Sequence, residues 1–328
     1  MASSGLFHVV DTRQFDRPTL DRLCRLATHI RSLAKTRSGA QTLRGLAPNR
    51  RAMLYFTQPS TRTFLSFNSA CHILGMQTSE IRSPSISSEV KGETFEDSIR
   101  TFSSYADVII MRTPEGGKAA RAAELMDSIP RPVPVINAGS GPDQHPTQAL
   151  LDIYTLERSF EKRGGIDGKT IAMMGDLRRG RTVRSLSYLM KNYSQVRLRF
   201  VAPPGYEIRR DILDHLEENG VAYESTSRLE DVVGELDALY VTRLQSEYDE
   251  SDQPGKADYG AYGIGPERLK KFPADAIVMH PLPRGPELDP AIDNDPRVMY
   301  WRQERNGMWM RVALLAAIFE LDGDLNVN

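Results

Sequence analysis

This sequence predicts an α/β protein of two doubly wound parallel-sheet domains, with a C-terminal helix returning to the first domain. Three observations carry that expectation. Short apolar runs of strand length alternate with segments whose apolar residues recur at three and four, the pattern of buried parallel strands joined by helices. The 328 residues exceed one ordinary small domain. The last helical pattern, NGMWMRVALLAAIFEL (306–321), has no strand after it and so is expected to fold back onto the first half.

The elements follow in order. TLDRLCRLATHIRSLAK (19–35) has the period of a helix packed on a sheet. Strand candidates come next in RAMLYF (51–56), DVIIMR (107–112) and VPVINA (133–138). A helix beginning at Pro146, in HPTQALLDIYTLERSF (145–160), joins the halves. The first domain is therefore expected over 1–143 with about 306–328, and the second over 146–305. In the second, strands are predicted in TIAMMGD (170–176), VRLRFVAP (196–203), DALYVTR (237–243) and AIVMHPLP (276–283), with TVRSLSYLMKNY (182–193) as a helix between the first two. The acidic, Gly- and Tyr-containing stretch 246–265 reads as a long mobile loop, which in a compact domain is more often functional than idle.

Composition narrows the function. Lys and Arg total 42 against 43 Asp and Glu, a net charge of −1. No global field then draws the protein to nucleic acid or an anionic membrane, and any anion site has to be local. Only Cys24 and Cys71 are present, which excludes a disulfide framework and a Cys-rich zinc site and fits a reducing cytoplasm. The start, MASSGLFHVVDTRQFDR, lacks a basic segment followed by an apolar run, and nowhere do eighteen apolar residues run together. The six His and two Cys never gather at metal-ligand spacing.

Polar clusters sit where strands end. QPSTRTFLSF (58–67) follows a strand and opens a helix. Free N–H groups there, the hydroxyls of Ser60, Thr61 and Thr63, and the Arg62 guanidinium offer more donors than a carboxylate needs, which points to phosphate. A capped helix with a solvated Arg fits the pattern equally well. NAGSGPDQHPTQALLDIY (137–154) sets His145 and Gln148 around a helix start, suited to polarising a carbonyl, although a lone His is more often structural. Arg181 lies at a βα junction in GDLRRGRTV, and Arg243 and Gln245 end a strand in TRLQ. Two arginines so placed suit an acceptor carrying carboxylates. HPLPRGPE (280–287) exposes backbone carbonyls in a proline-stiffened loop, a seat for an amide N–H donor. No Gly-rich fingerprint follows a strand, which disfavours a nicotinamide-dependent enzyme.

Together, STRT (60–63), KGET (91–94), MRTP (111–114), HPTQ-x-LLD (145–152), GDL-x-x-GRTV (175–183), TR-x-Q (242–245) and HPLPR (280–284) resemble the aspartate and ornithine carbamoyltransferases. Their order and spacing look like the aspartate branch. The similarity runs from about residue 8 to 320, and the Cys-containing closing motif of the ornithine branch is replaced by HPLPR.

The resemblance implies carbamoyl transfer from carbamoyl phosphate to the α-amine of L-aspartate, in pyrimidine biosynthesis, with no metal or organic cofactor. It makes the first domain the carbamoyl-phosphate-binding one and the second the aspartate-binding one. Ser60, Thr61, Arg62, Thr63 and Arg112 would hold the phosphate. Thr63, His145 and Arg62 would polarise the carbonyl, with Gln148 and the Leu282 and Pro283 carbonyls on the amide. Arg181, Arg243 and Gln245 would hold the aspartate carboxylates. Ser87 and Lys91 match residues that the family delivers from a neighbouring subunit, so the active site would require a homotrimer. Whether regulatory subunits or a dihydroorotase bind is left open. Gln58, Phe64, Asn68 and Tyr248 stand where the family commonly has Glu, Arg, Glu and Arg. That leaves two rival readings: a carbamoyltransferase for another carboxylate-bearing amine, and a non-catalytic carbamoyl-phosphate-binding scaffold.

Overall fold

The computed structural model describes residues 6–83, 92–141, 144–243 and 259–325. The chain divides into two compact units, Met1–Leu151 with Arg305–Asn328, and Asp152–Glu304. No helix among the described residues is long and apolar enough to cross a membrane.

The first unit begins with α1 (Arg17–Leu33) and α2 (Arg37–Arg44). The Asp16 side chain accepts the Thr19 N–H and Pro18 occupies the first turn of α1, the residue types that helix starts favour. Then come β1 (Arg51–Phe56), α3 (Thr61–Ile73), β2 (Gln77–Ile81), α4 (Phe95–Tyr105), β3 (Val108–Arg112), α5 (Lys118–Asp127) and β4 (Val135–Asn137). All pairings are parallel, in the order β2-β1-β3-β4.

Side-chain alternation along β1 shows why this sheet needs helices on both faces. Tyr55 turns one way to meet Phe102 of α4, ring centroids 5.2 Å apart. Its neighbour Phe56 turns the other way and meets Phe64 of α3 edge-on at 5.4 Å. On the Tyr55 side Met53, Ile109 and Met111 pack with Phe95, Ile99, Ala122 and Met126.

The unit boundaries fall inside two helices, α6 (Pro146–Phe160) and α10 (Tyr300–Ile318). The end of the chain returns to the first unit. Arg311 donates to Ser66 Oγ at 2.8 Å and stacks over Phe67, and Asn306 accepts from Arg31 at 3.1 Å. The helix starts at Tyr300, six residues before the apolar pattern begins, because its first turns carry Arg, Gln, Glu and Asn that a hydrophobic count passes over.

The second unit holds β5 (Thr170–Met174), α7 (Arg181–Leu189), β6 (Arg197–Val201), α8 (Arg210–Glu218), β7 (Ala222–Thr226), β8 (Ala238–Val241), α9 (Pro266–Leu269) and β9 (Ile277–Met279). Its parallel sheet runs β7-β6-β5-β8-β9. The seven strands expected from apolar runs are present. Two more, β2 and β7, were not expected. Both are edge strands with mostly exposed or half-exposed side chains, QTSEI and AYEST, and polar residues there leave no apolar run to read.

Candidate active site

In a doubly wound sheet, ligands bind beyond the carboxyl ends of the strands where the winding reverses. In the first unit the chain passes from β1 outward to β2, then crosses to β3 on the other side of β1. The reversal lies between β1 and β3, paired in register with Phe56 opposite Arg112. STRT therefore leaves one strand beside the strand that ends in Arg112. Gln58 N–H donates to the Arg112 carbonyl at 3.2 Å, tying the two exits together. Ser60 is the N-cap of α3 with extended backbone and no side-chain cap bond, so the first-turn N–H groups are not claimed by that hydroxyl. Thr61 and Arg62 are exposed, and Thr63 is buried.

The next strand, β4, sets Asn137 opposite Met111 and leads to His145. Asn137 Oδ1 accepts the Gly139 N–H at 2.8 Å, and Ser140 Oγ also donates to it. Gln144 Oε1 accepts the Thr12 N–H at 2.8 Å. These buried contacts shape the loop so that His145 caps α6, its carbonyl accepting from Gln148 N–H at 2.9 Å. The His145 Nε2 lies 3.5 Å from an Arg112 guanidinium nitrogen, and its Nδ1 lies 3.5 Å from Thr147 Oγ1. A Cβ at Gly139, where φ is +106°, would come within 2.9 Å of both the Arg112 guanidinium and the His145 ring. Only glycine leaves room for the two to meet. Arg112 and His145, predicted from separate motifs, are thus gathered at adjacent strand ends, with Gln148 in the first turn of the helix that follows.

Two of the departures from the family pattern, Phe64 and Asn68, make local contacts. Phe64, where Arg is common, is buried against Phe56, and the Arg82 guanidinium lies 4.3 Å above its ring. Asn68 accepts from Thr78 Oγ1 at 3.1 Å.

In the second unit the winding reverses between β5 and β8, paired with Met174 opposite Val241. Arg181 opens α7 after β5, and Arg243 follows β8. Between these exits a Cβ on Gly175, φ +121°, would lie 2.2 Å from the Thr242 carbonyl oxygen. The strand ends are pressed backbone to backbone. Next to β8, β9 leads into His280–Arg284, where Leu282 has φ +52°. Arg284 forms an ion pair with Asp293. Burial alone would raise the Glu287 carboxyl. Hydrogen bonds from His280 and the Gly285 N–H outweigh it and hold the group below its ordinary value. An imidazolium would attract Glu287 more strongly, but its Nδ1–H would confront the Leu282 N–H, so the geometry fits a neutral ring. Ser87, Lys91, Gln245 and Tyr248, and most of 246–265, lie outside the described residues.

The sequence did not single out Asn137, Gly139, Gln144, Gly175 or Glu287. A glycine two residues after a strand end was the one available signal, and its meaning depends on what it faces.

Comparison with known proteins gives a single family. Residues 8–158 match the aspartate/ornithine carbamoyltransferase carbamoyl-P binding domain, and 167–318 match the Asp/Orn binding domain. The chain is 42% identical over 314 residues to aspartate carbamoyltransferase 1, chloroplastic, of Pisum sativum, covering 94% of this chain and 78% of that protein. It is 39% identical over 319 residues to the aspartate carbamoyltransferase catalytic subunit of Methanocella arvoryzae, covering 96% and 98%. Among solved structures, aspartate transcarbamoylase from Trypanosoma cruzi in complex with N-(phosphonacetyl)-L-aspartic acid superposes with a TM-score of 0.86 at 35% identity, covering 97% of each chain. With both halves matched in order and relatives of this identity along nearly its whole length, the chain belongs to the aspartate/ornithine carbamoyltransferase family.

Proposed function

We propose that this protein transfers the carbamoyl group of carbamoyl phosphate to the α-amine of L-aspartate, giving N-carbamoyl-L-aspartate and phosphate for pyrimidine biosynthesis. The observation that carries the reading is the meeting of Arg112 and His145 over Gly139, beside the uncapped start of α3. That arrangement concentrates donors where a phosphate and an adjoining carbonyl would lie.

Ser60, Thr61, Arg62, Thr63 and Arg112 take the phosphate. Thr63, Arg62 and His145 direct donors at the carbamoyl oxygen. If Thr147 donates to Nδ1, Nε2 carries the His145 proton, and one ligand oxygen can accept from both Nε2–H and Arg112. Gln148 and the Leu282 and Pro283 carbonyls hold the amide, while Arg181, Arg243 and Gln245 read the two carboxylates of aspartate. The amine attacks the carbamoyl carbon, negative charge gathers on the carbonyl oxygen, the C–O bond to phosphate breaks, and the departing phosphate takes the amine proton. Donors fixed before the reaction stabilise that charge without reorganising.

The family precedent for Ser87 and Lys91 supports a homotrimer with shared sites, and two cysteines not joined in a disulfide fit a reducing cytoplasm. Steady-state carbamoylation of L-aspartate, compared with L-ornithine and other amino acids, tests the activity. Preference for another acceptor, or no phosphate release, would refute it. Mixed trimers refolded from Lys91→Ala and Arg62→Ala chains, each nearly inactive alone, should regain activity. Without recovery, Lys91 serves its own chain.

A further inference from the structure

The loop assigned to the carbamoyl amide offers backbone carbonyls, and backbone groups act as recognition elements only when the chain bearing them is fixed. The 280–287 segment is fixed by a buried polar arrangement that the mechanism above does not use. His280 and Glu287 are each 1% exposed. The Leu282 N–H donates to His280 Nδ1 at 2.8 Å, so that nitrogen carries a lone pair and the ring proton sits on Nε2. Nε2–H then donates to Glu287 Oε1 at 3.0 Å. The same Oε1 accepts the Gly285 N–H at 2.6 Å.

The carboxylate thereby closes the loop at two points, through the imidazole near its start and directly near its end. Below it, His280 N–H donates to Gln303 Oε1 at 3.0 Å, and Gln303 Nε2 donates to Asp152 Oδ1 at 2.7 Å. Asp152, fully buried, accepts the Tyr240 hydroxyl on its other oxygen at 2.8 Å. Leu282 adopts φ +52°, a backbone conformation that L-residues rarely take, and its N–H is held by His280 there. A Cβ at Gly285 would lie 2.9 Å from Glu287 Oε2 and 3.7 Å from the Arg243 stem. The clamp and the carboxylate-reading arginine border one space.

We infer that His280 and Glu287 are positioning residues for carbamoyl phosphate: Glu287 fixes the imidazole in its Nε2–H form, and Nδ1 of that ring aims the Leu282–Pro283 carbonyls at the carbamoyl amide. The choice of ligand rests on the proposed function. The clamp itself does not, and the experiment separates them.

Calorimetry on the full chain compares carbamoyl phosphate with inorganic phosphate, which carries no amide. His280→Ala should weaken carbamoyl phosphate by roughly 10-fold or more, the scale of one or two lost hydrogen bonds, and leave phosphate within about 2-fold. His280→Asn should recover most of the loss, because its side-chain oxygen can accept the N–H two residues on in an Asx turn. Equal weakening of both ligands, unchanged carbamoyl phosphate binding, or an Asn variant no better than Ala would overturn the assignment. Should His280→Ala fail to fold, Glu287→Gln takes its place, with about 3-fold weaker carbamoyl phosphate and unchanged phosphate expected. Binding of both ligands as in the unmodified protein would then count against the pair. Hydrogen exchange across 280–285 reads the clamp with no ligand present, and His280→Ala should speed it about 10-fold. Unchanged exchange would refute the clamp. A native protein that makes no carbamoyl aspartate would instead refute the functional reading.

Discussion

The two units place arginines at the same point of their folds and close that point in different ways. In each sheet the winding reverses between two paired strands, β1 with β3 and β5 with β8. Basic residues follow both members of each pair: Arg62 and Arg112 in the first unit, Arg181 and Arg243 in the second. A glycine with positive φ lies near each reversal, Gly139 after β4 and Gly175 after β5. Gly139 faces side chains, Arg112 and His145, whereas Gly175 faces the backbone of Thr242. The first crevice is therefore a place where donors converge. The second is a rigid seam that spaces two arginines, and its neighbouring loop offers carbonyl acceptors. The same kind of winding reversal suits a donor cradle in one case and a carboxylate fork with amide acceptors in the other, because chemistry depends on what stands over the glycine.

The same substitution in both seams should have the largest effect. Gly175→Ala forces a Cβ against a carbonyl oxygen that cannot rotate away, and with strain at φ +121° should cost about 3–5 kcal/mol, read by denaturant unfolding. Gly139→Ala meets side chains that can move, so it should cost less stability, about 1–2 kcal/mol, while weakening phosphate binding about 10-fold or more. Equal stability losses with intact phosphate binding would erase the contrast between the crevices.

His145→Ala should leave unfolding unchanged and lower kcat by roughly 10²–10³, the usual loss for one donor to a developing oxyanion. A near-normal kcat would remove His145 from the donor set. For the second crevice, Arg243→Ala should raise the aspartate KM by about 10–100-fold, the scale of charge-assisted hydrogen bonds to a carboxylate. Carbamoyl phosphate affinity by calorimetry should hold, and a parallel loss would mean that the units do not divide the two substrates.

The smallest effect concerns acid. In the first unit, burial lowers the pKa of His8 from its usual 6.5, against the pull of Asp127, and His8 Nδ1 accepts the Val135 N–H at the base of β4. The unfolded chain then takes the proton first, so stability falls as pH drops below about 6.5 and levels once the folded imidazole protonates. The depressed Glu287 carboxyl in the second unit stabilises above its unfolded value of 4.5 and loses that contribution only as pH falls through its lower folded value. Melting temperature should therefore decline between pH 7.5 and 5.5 by an amount worth under about 1.4 kcal/mol, and His8→Asn should flatten the decline. Glu287→Gln should leave its slope alone. A slope that follows Glu287 would reverse the order in which the units respond.

What the sequence made legible follows the same physics. Interior strands are buried on both faces, and so RAMLYF or TIAMMGD stands out, while the edges QTSEI and AYEST carry polar side chains with no pattern to detect. Candidate residues were readable because strand ends, turns and helix starts are local in sequence, as with STRT and Arg243. Contacts between distant positions were not. Nothing in the text of Thr12 announces Gln144, 132 residues away, and nothing in HPLPRGPE says that its Glu closes a ring on its own His.

The inventory of the first unit, 1–151 together with 305–328, has an outcome for synthesis. The second unit is one uninterrupted stretch, 152–304, so all of it has been made while the first still lacks most of α10. Domains tend to fold as units while the chain is being made. Here the part written first is finished last, and until Arg311 reaches Ser66 and Phe67 the newborn chain carries a completed Arg181 and Arg243 seam while the layer that supports α3 in the first unit has not yet arrived.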